Sequence, residues 1–324
     1  MNKFINLVVA TAYGDAYGLP YETRTYAEIV NLGGPSRHLI LPDRYSDFAD
    51  FKGYPVGTVS DDTQHTVAMV KSLLKKPYDI WGLIDELQLE MSRSDRGWGK
   101  GTKSALIRIK SKSSLEQIIN NGNPDSNGCG PLMRLAPLAL YSYFDIGLPG
   151  GGEDFVEVST RLTHNSELAV VSALVHFQCL KYVIKSSARN LMSFALEQAK
   201  LYETKYSAPS VLSDKLSRIA TSNRELLADQ IYDSTKEAFS SQSVQSLAYA
   251  CLEANQKAEL LELLQLVVAQ GGDCDSTAAI AGSMWCLANP ENLILPRDVN
   301  KLQDYESLKS LSAQFCGAIN NLIE

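Results

Sequence analysis

Ser60-Asp61-Asp62-Thr63 and Asp273-Cys274-Asp275-Ser276-Thr277 are two clusters of acids and hydroxyls that lie far apart in the chain. Each follows a glycine-containing turn (Gly57, then Gly271-Gly272), and each opens a stretch with helical periodicity. Taken alone, either cluster reads as a helix cap, because Ser and Asp are favoured N-cap residues. Two clusters of the same chemistry constrain the chain further. Crowded carboxylates repel unless a cation lies between them, and carboxylate and hydroxyl oxygens are hard ligands suited to Mg²⁺, Mn²⁺ or Ca²⁺. The pair points to a metal site, with two ions expected.

The remaining segments supply a helical frame for such a site. Val67, Val70, Leu73 and Leu74 share one face after the first cluster, and Leu83, Ile84, Leu87 and Met91 share another. The pattern continues through Leu168, Val171, Leu174, Val175 and Leu180, then through Leu260, Leu263, Leu264, Val267 and Val268. No sustained β-branched alternation bounded by turns occurs. Connecting segments are short and carry Gly, Pro, Asn or Asp; the longer ones run over about 31–57 and 144–154. A polar stretch rich in Ser and Lys is expected to form a peripheral helical insertion around 185–246. There is no solenoid repeat and no low-complexity linker. The expectation is one all-α domain over residues 1–324.

Composition narrows the function classes. With 45% hydrophobic and 21% charged residues, the 324-residue chain is globular in type. A net charge of −7 argues against general nucleic-acid binding or attraction to anionic membranes, while leaving room for a local basic pocket. No segment is read as a membrane span. Met1 to Ala12 mimics a short signal peptide, with Ala10-Thr11-Ala12 as its cleavage site. The favoured reading is a buried helix that turns into a functional loop at Gly14-Asp15-Ala16-Tyr17-Gly18. The six cysteines show neither paired nor zinc-like spacing, so reduced thiols in a cytoplasmic protein fit best.

Four further motifs carry chemistry, each with a plain alternative. Glu22 sits just past Pro20 in a turn, as a surface glutamate after a helix stop or as a site acid. Asn127-Gly128-Cys129-Gly130-Pro131 puts glycines and a proline at a helix start, where exposed N–H groups suit a phosphate; the alternative is a Gly-rich turn. No strand precedes it, so it is not a βαβ dinucleotide fingerprint. Gly97-Trp98-Gly99 offers a flexible aromatic that could cover a base or sugar, or a simple inter-helix turn. His164, before an apolar helix, is a cap or a site wall.

Taken together and in this order, these motifs resemble the ADP-ribosylglycohydrolase family, the ADP-ribosyl-acceptor hydrolases related to dinitrogenase reductase-activating glycohydrolase. The resemblance spans nearly the whole chain and is most specific at Ser60–Thr63 and at Gly271–Gly282. It implies an all-α, compact single-domain orthogonal helical bundle with a binuclear metal cleft. It implies two Mg²⁺ or Mn²⁺ ions held by Ser60, Asp61, Asp62, Asp273, Asp275 and Ser276. Glu22 would assist proton transfer, with Asp62 or Asp95 as the other acids within the motif set. Asn127, Gly128, Cys129 and Gly130 would cradle the diphosphate, and Trp98, Gly99 and His164 would wall the ribose and base. The chain departs from the family in having serine first in the opening cluster, Cys274 where threonine is usual, and no Asp in the Gly97–Gly99 loop, where some members place a catalytic one. The implied reaction releases ADP-ribose from a modified protein side chain or a small ADP-ribosyl conjugate, reversing the work of a cognate transferase. An inactive ADP-ribose-binding relative and another metal-dependent hydrolase remain the alternatives.

Overall fold

Leu7–Gly18 (α1) is apolar on every side, and all twelve of its residues are buried. A helix without a polar face has no stable place except among other helices. Its partner is Cys274–Ala288 (α15), likewise buried along its whole length. Small residues set their separation. A Cβ on Gly14 would stand 2.6 Å from the Ala278 carbonyl carbon, one on Gly18 would stand 2.7 Å from Asp275 Cα, and one on Gly282 would stand 2.5 Å from the Ala10 oxygen. Gly14 and Gly18 therefore lie in the helix, not in the loop expected there. Their missing side chains are what let two backbones touch.

The fold is a computed structural model that describes residues 3–46, 49–75, 78–109, 114–144, 148–220, 237–256, 258–292 and 294–323. Among these residues the architecture is all-α, with no strand and only isolated bridges. Between α1 and α15 in chain order come Tyr26–Asn31 (α2), Asp61–Leu74 (α3), Ile80–Arg93 (α4), Lys100–Ile109 (α5), Leu115–Ile119 (α6), Gly130–Met133 (α7) and Leu135–Tyr143 (α8). Glu153–Arg161 (α9), Glu167–Ser186 (α10), Leu191–Lys205 (α11), Val211–Ala220 (α12), Ser241–Ala254 (α13) and Leu260–Ala269 (α14) follow, and Tyr305–Ile323 (α16) closes the chain. The two cluster-bearing helices, α3 and α15, both pack on α1.

Several starts are written in the sequence. Ser60 caps α3 by accepting a hydrogen bond from Asp62 N at 3.3 Å, and Asp79 caps α4 from Gly82 N at 2.8 Å. Thr25 and Glu28 form a reciprocal capping box on α2. α10 corrects one expectation: its 20 residues are long and apolar enough to cross a membrane. It is a core helix nonetheless, with 67% of that window buried among other helices and with Ser172 and His176 inside it.

The 185–246 stretch contains α11, α12 and the start of α13; its residues 221–236 lie outside the described ones. α11 buries Leu191, Met192, Ala195, Ala199 and Tyr202. Glu203 Oε1 accepts from Leu212 N at 2.9 Å and Ser213 N at 3.0 Å, joining α11 to the first turn of α12. Ser241 to Ser246, polar at every position but Val244, are all buried. Part of that polarity is met across the fold, as where Ser241 Oγ donates to Gly128 O at 2.7 Å, while Gln245 Nε2 and Ser246 Oγ are buried without a partner.

Candidate metal centre

α1, α3 and α15 each send carboxylates to one point. Asp15 is fully buried in α1 and is held by the start of α3: it accepts from Ser60 N at 3.0 Å, Thr63 N at 3.1 Å and Thr63 Oγ1 at 2.5 Å. Asp62 Oδ2 accepts from Ser60 Oγ at 3.1 Å and from Ser276 Oγ at 3.2 Å, so one carboxylate joins the two clusters directly. On the other side, Cys129 Sγ stands 3.2 Å from both Asp273 Oδ2 and Ser276 Oγ. Glu22 is brought in by the turn before α15. Thr23 N donates to Gly272 O at 2.9 Å, and Gly272 N donates to Arg24 O at 2.8 Å. Gly271 takes φ +78°, and a Cβ there would stand 2.9 Å from the Thr25 carbonyl carbon, so glycine is required at this staple.

The outcome is two carboxylate triplets with a common member. One ligand oxygen from each of Asp15, Asp62 and Asp275 lies within 4.8 Å of the others, and the same holds for Glu22, Asp273 and Asp275. Asp62 Oδ1 and Asp275 Oδ1 are buried with no hydrogen-bond partner. Among the described residues no Lys or Arg pairs with any of these acids. Burial pushes Asp15 up to about 6 despite the bonds it accepts. Burial, reinforced by Asp15 and Asp273, pushes Asp61 up to about 8. Asp62, Asp275 and Glu22 stand well above the usual carboxylate range, again through burial first and neighbouring carboxylates second. Orphaned buried oxygens on like-charged groups are a donor set that fits hard divalent cations.

A cavity of about 190 Å³ opens over this floor. Of the expected site residues, Glu22, Asp61, Asp62, Asp273, Asp275, Ser276, Gly99, Gly128, Cys129, Gly130 and His164 line it. His164 is neutral, pushed down to about 3 by burial and by Arg134. Four expected residues sit elsewhere. Trp98 is only 3% exposed; its Nε1 donates to Gln64 Oε1 at 2.6 Å and its ring packs on His65, so it serves the core rather than a ligand. Asn127 is spent on Gln242, donating to its Oε1 at 2.6 Å, and so anchors the turn. Ser60 acts through Asp62 and Asp15. Asp95 pairs with Lys103 at 3.3 Å on the surface, with 68% of its side chain exposed, and does not line the cavity.

Asp15 was not assigned a ligand role from sequence, and neither were the cavity-lining Thr102, Met133 and Phe239. A signal for Asp15 existed: it is the one acid in a helix otherwise apolar all round.

Residues 1–322 match the ADP-ribosylglycohydrolase family. The chain belongs to that family. It is 27% identical to an uncharacterized protein of Archaeoglobus fulgidus over 96% of this chain and 95% of that one. It is 23% identical to the ADP-ribosyl-[dinitrogen reductase] glycohydrolase of Rhodospirillum rubrum over 87% of this chain and 84% of that protein. Its fold resembles a solved structure described as an ADP-ribosylglycohydrolase-related protein complex, with a TM-score of 0.69 and 20% identity over 100% of this chain and 98% of that chain. The family supports a glycohydrolase acting on ADP-ribosyl conjugates, and the carboxylate floor is an acidic cluster that could hold metal.

Proposed function

We propose that this protein is a divalent-metal-dependent hydrolase that cleaves the bond between C1″ of ADP-ribose and an acceptor, releasing ADP-ribose. The observation that carries the reading is the sharing of Asp275 by two carboxylate triplets under one cavity, in a chain of this family. Asp15, Asp62 and Asp275 would hold one cation, and Glu22, Asp273 and Asp275 a second, with Mg²⁺ or Mn²⁺ fitting the all-oxygen set. Bound cations would supply positive charge for the ribose 2″ and 3″ hydroxyls and for an attacking water.

The protein's own groups do the rest. Thr63 and Ser60 fix the orientation of Asp15, and Ser60 with Ser276 fixes Asp62, so two donors reach the site pre-set. Glu22 lines the cavity and is the acid we assign to pass a proton to or from the reacting oxygen or nitrogen. Gly128, Cys129 and Gly130 lead into α7 and line the cavity, so this turn would lie against a diphosphate. His164, neutral and beside Gly130, forms the wall of that turn.

We further read the protein as a single cytoplasmic domain, consistent with six free cysteines, all buried. Its substrate would be an ADP-ribosylated protein or a small ADP-ribosyl conjugate made by a cognate transferase. Release of ADP-ribose from a panel of arginine-, serine-, nucleobase- and ester-linked conjugates, with Mg²⁺ or with chelator, tests the reading. Metal-dependent release from at least one conjugate supports it. No release from any of them, with ADP-ribose still binding, would favour an inactive binding protein.

A further inference from the structure

A buried chain of polar side chains runs from Arg134 to the cavity wall. Arg134 is wholly buried and pairs with no carboxylate among the described residues; its Nη2 donates to Ser159 O at 2.5 Å and to Thr163 Oγ1 at 3.3 Å. Thr163 Oγ1 in turn stands 2.9 Å from His164 Nδ1. A guanidinium can only donate, so the Thr163 oxygen accepts from it. The Thr163 hydroxyl is sealed from solvent, and among the described residues its own proton has one acceptor, His164 Nδ1. A proton on Nδ1 would leave that buried O–H with nothing to donate to, an arrangement buried polar groups avoid. Nδ1 therefore accepts, and the ring, kept neutral by burial and by Arg134, carries its proton on Nε2.

His164 is 4% exposed and lines the cavity, and its Nε2 has no partner among the described residues. A Cβ on Gly128 would stand 3.4 Å from Nε2 and one on Gly130 would stand 3.1 Å from Cε1, so glycines at both positions keep that ring edge clear. We propose that Thr163, its hydroxyl oriented by Arg134, is a positioning residue that fixes the His164 proton on Nε2, so that the ring presents an N–H donor to a ligand oxyanion at the Gly128–Gly130 turn. The inference rests on the diphosphate reading of that turn and adds to it what makes the wall attract an anion. With the other tautomer the Nε2 lone pair would face the ligand's oxygens, and two acceptors would meet with no proton between them. Thr163 thus acts on the ligand only through His164, and Arg134 only through Thr163.

The test is the ¹⁵N NMR spectrum of the histidine rings in the full-length protein, with the His164 signals assigned by their loss in His164→Gln, beside ADP-ribose binding by calorimetry. The chain has four histidines, so the spectrum is tractable. Wild-type His164 should show its proton on Nε2. Thr163→Val, which keeps the shape and removes the hydroxyl, should release the ring to the Nδ1–H form or a mixture, and ADP-ribose affinity should fall by about ten- to a hundredfold, the scale of one hydrogen bond to a charged group. Thr163→Ser, which restores the hydroxyl, should recover both, and Mn²⁺ affinity should change little in either variant. A wild type with the proton on Nδ1, or a Thr163→Val protein with unchanged tautomer and unchanged ADP-ribose affinity, overturns the proposal and leaves the hydrolase reading intact. A wild type that binds no ADP-ribose overturns the function proposed above and, with it, the ligand assigned to His164. Should Thr163→Val fail to fold, the wild-type tautomer decides: Nε2–H supports the claim and Nδ1–H refutes it.

Discussion

Gly14→Ala should destabilise this protein although alanine is the better helix former. Glycine inside a helix costs about 0.5–1 kcal/mol relative to alanine, so propensity alone expects a gain. Packing opposes it. The new Cβ would stand 2.6 Å from the Ala278 carbonyl carbon and 2.9 Å from Ala279 N, both backbone atoms that no rotamer change can move. The Ala278 carbonyl oxygen stands closer still, so to reach the 3.4 Å of ordinary contact α1 and α15 must part by more than about 0.8 Å. Overpacking of this kind costs about 1–3 kcal/mol, and more when backbones must shift. The net is a loss of about 1–2 kcal/mol, read as a lower urea midpoint at unchanged m-value. Because α1 carries Asp15 and α15 carries Asp275, the same parting should weaken Mn²⁺ binding. The control is Gly317→Ala in α16, where a Cβ meets nothing within 4 Å, and stability should rise by about 0.5–1 kcal/mol. Equal midpoints for Gly14→Ala and wild type, or a gain matching Gly317→Ala, would refute the close-crossing argument.

Three further outcomes are expected. In chelator, stability should fall as pH rises from about 4 to about 8: burial raises Asp15 from 3.8 to about 6 and Asp61 from 3.8 to about 8, so the folded state holds protons that the unfolded state has released. Saturating Mg²⁺ should raise the melting temperature and flatten that slope, and a melting temperature in chelator that climbs across this window would contradict the sign. Glu22→Gln should lower the hydrolysis rate by about two to four powers of ten with ADP-ribose affinity little changed; a parallel loss of binding would make Glu22 a substrate contact instead. Trp98→Phe should cost about 0.5–1.5 kcal/mol, for its lost bond to Gln64, and leave KM unchanged, whereas a raised KM with unchanged stability would restore Trp98 as a ligand wall.

What was legible in the sequence was the part written in local chemistry. Ser60 as a cap, the apolar faces of α3, α4, α10 and α14, and the helix starts at both acidic clusters follow from rules acting within one or two turns. What escaped was set between segments. Asp15 became a member of the site only when α1 crossed α15, and the glycines that permit the crossing look like helix breaks to any local reading. Trp98 and Asn127 stand in the right loops, but a loop side chain's direction is decided by distant partners, here Gln64 and Gln242. α10 shows the same limit in reverse: its composition would suit a membrane, and only its packing shows that it lies in the core.

The measurement closest to the central claim is the Mn²⁺ content and electron paramagnetic resonance of wild type beside Asp275→Ala. Since Asp275 belongs to both triplets, wild type should bind two ions per chain with a spin-coupled signal, and the single substitution should abolish the coupling and most of the binding. Two coupled ions persisting in folded Asp275→Ala, or no bound Mn²⁺ in wild type, would contradict it.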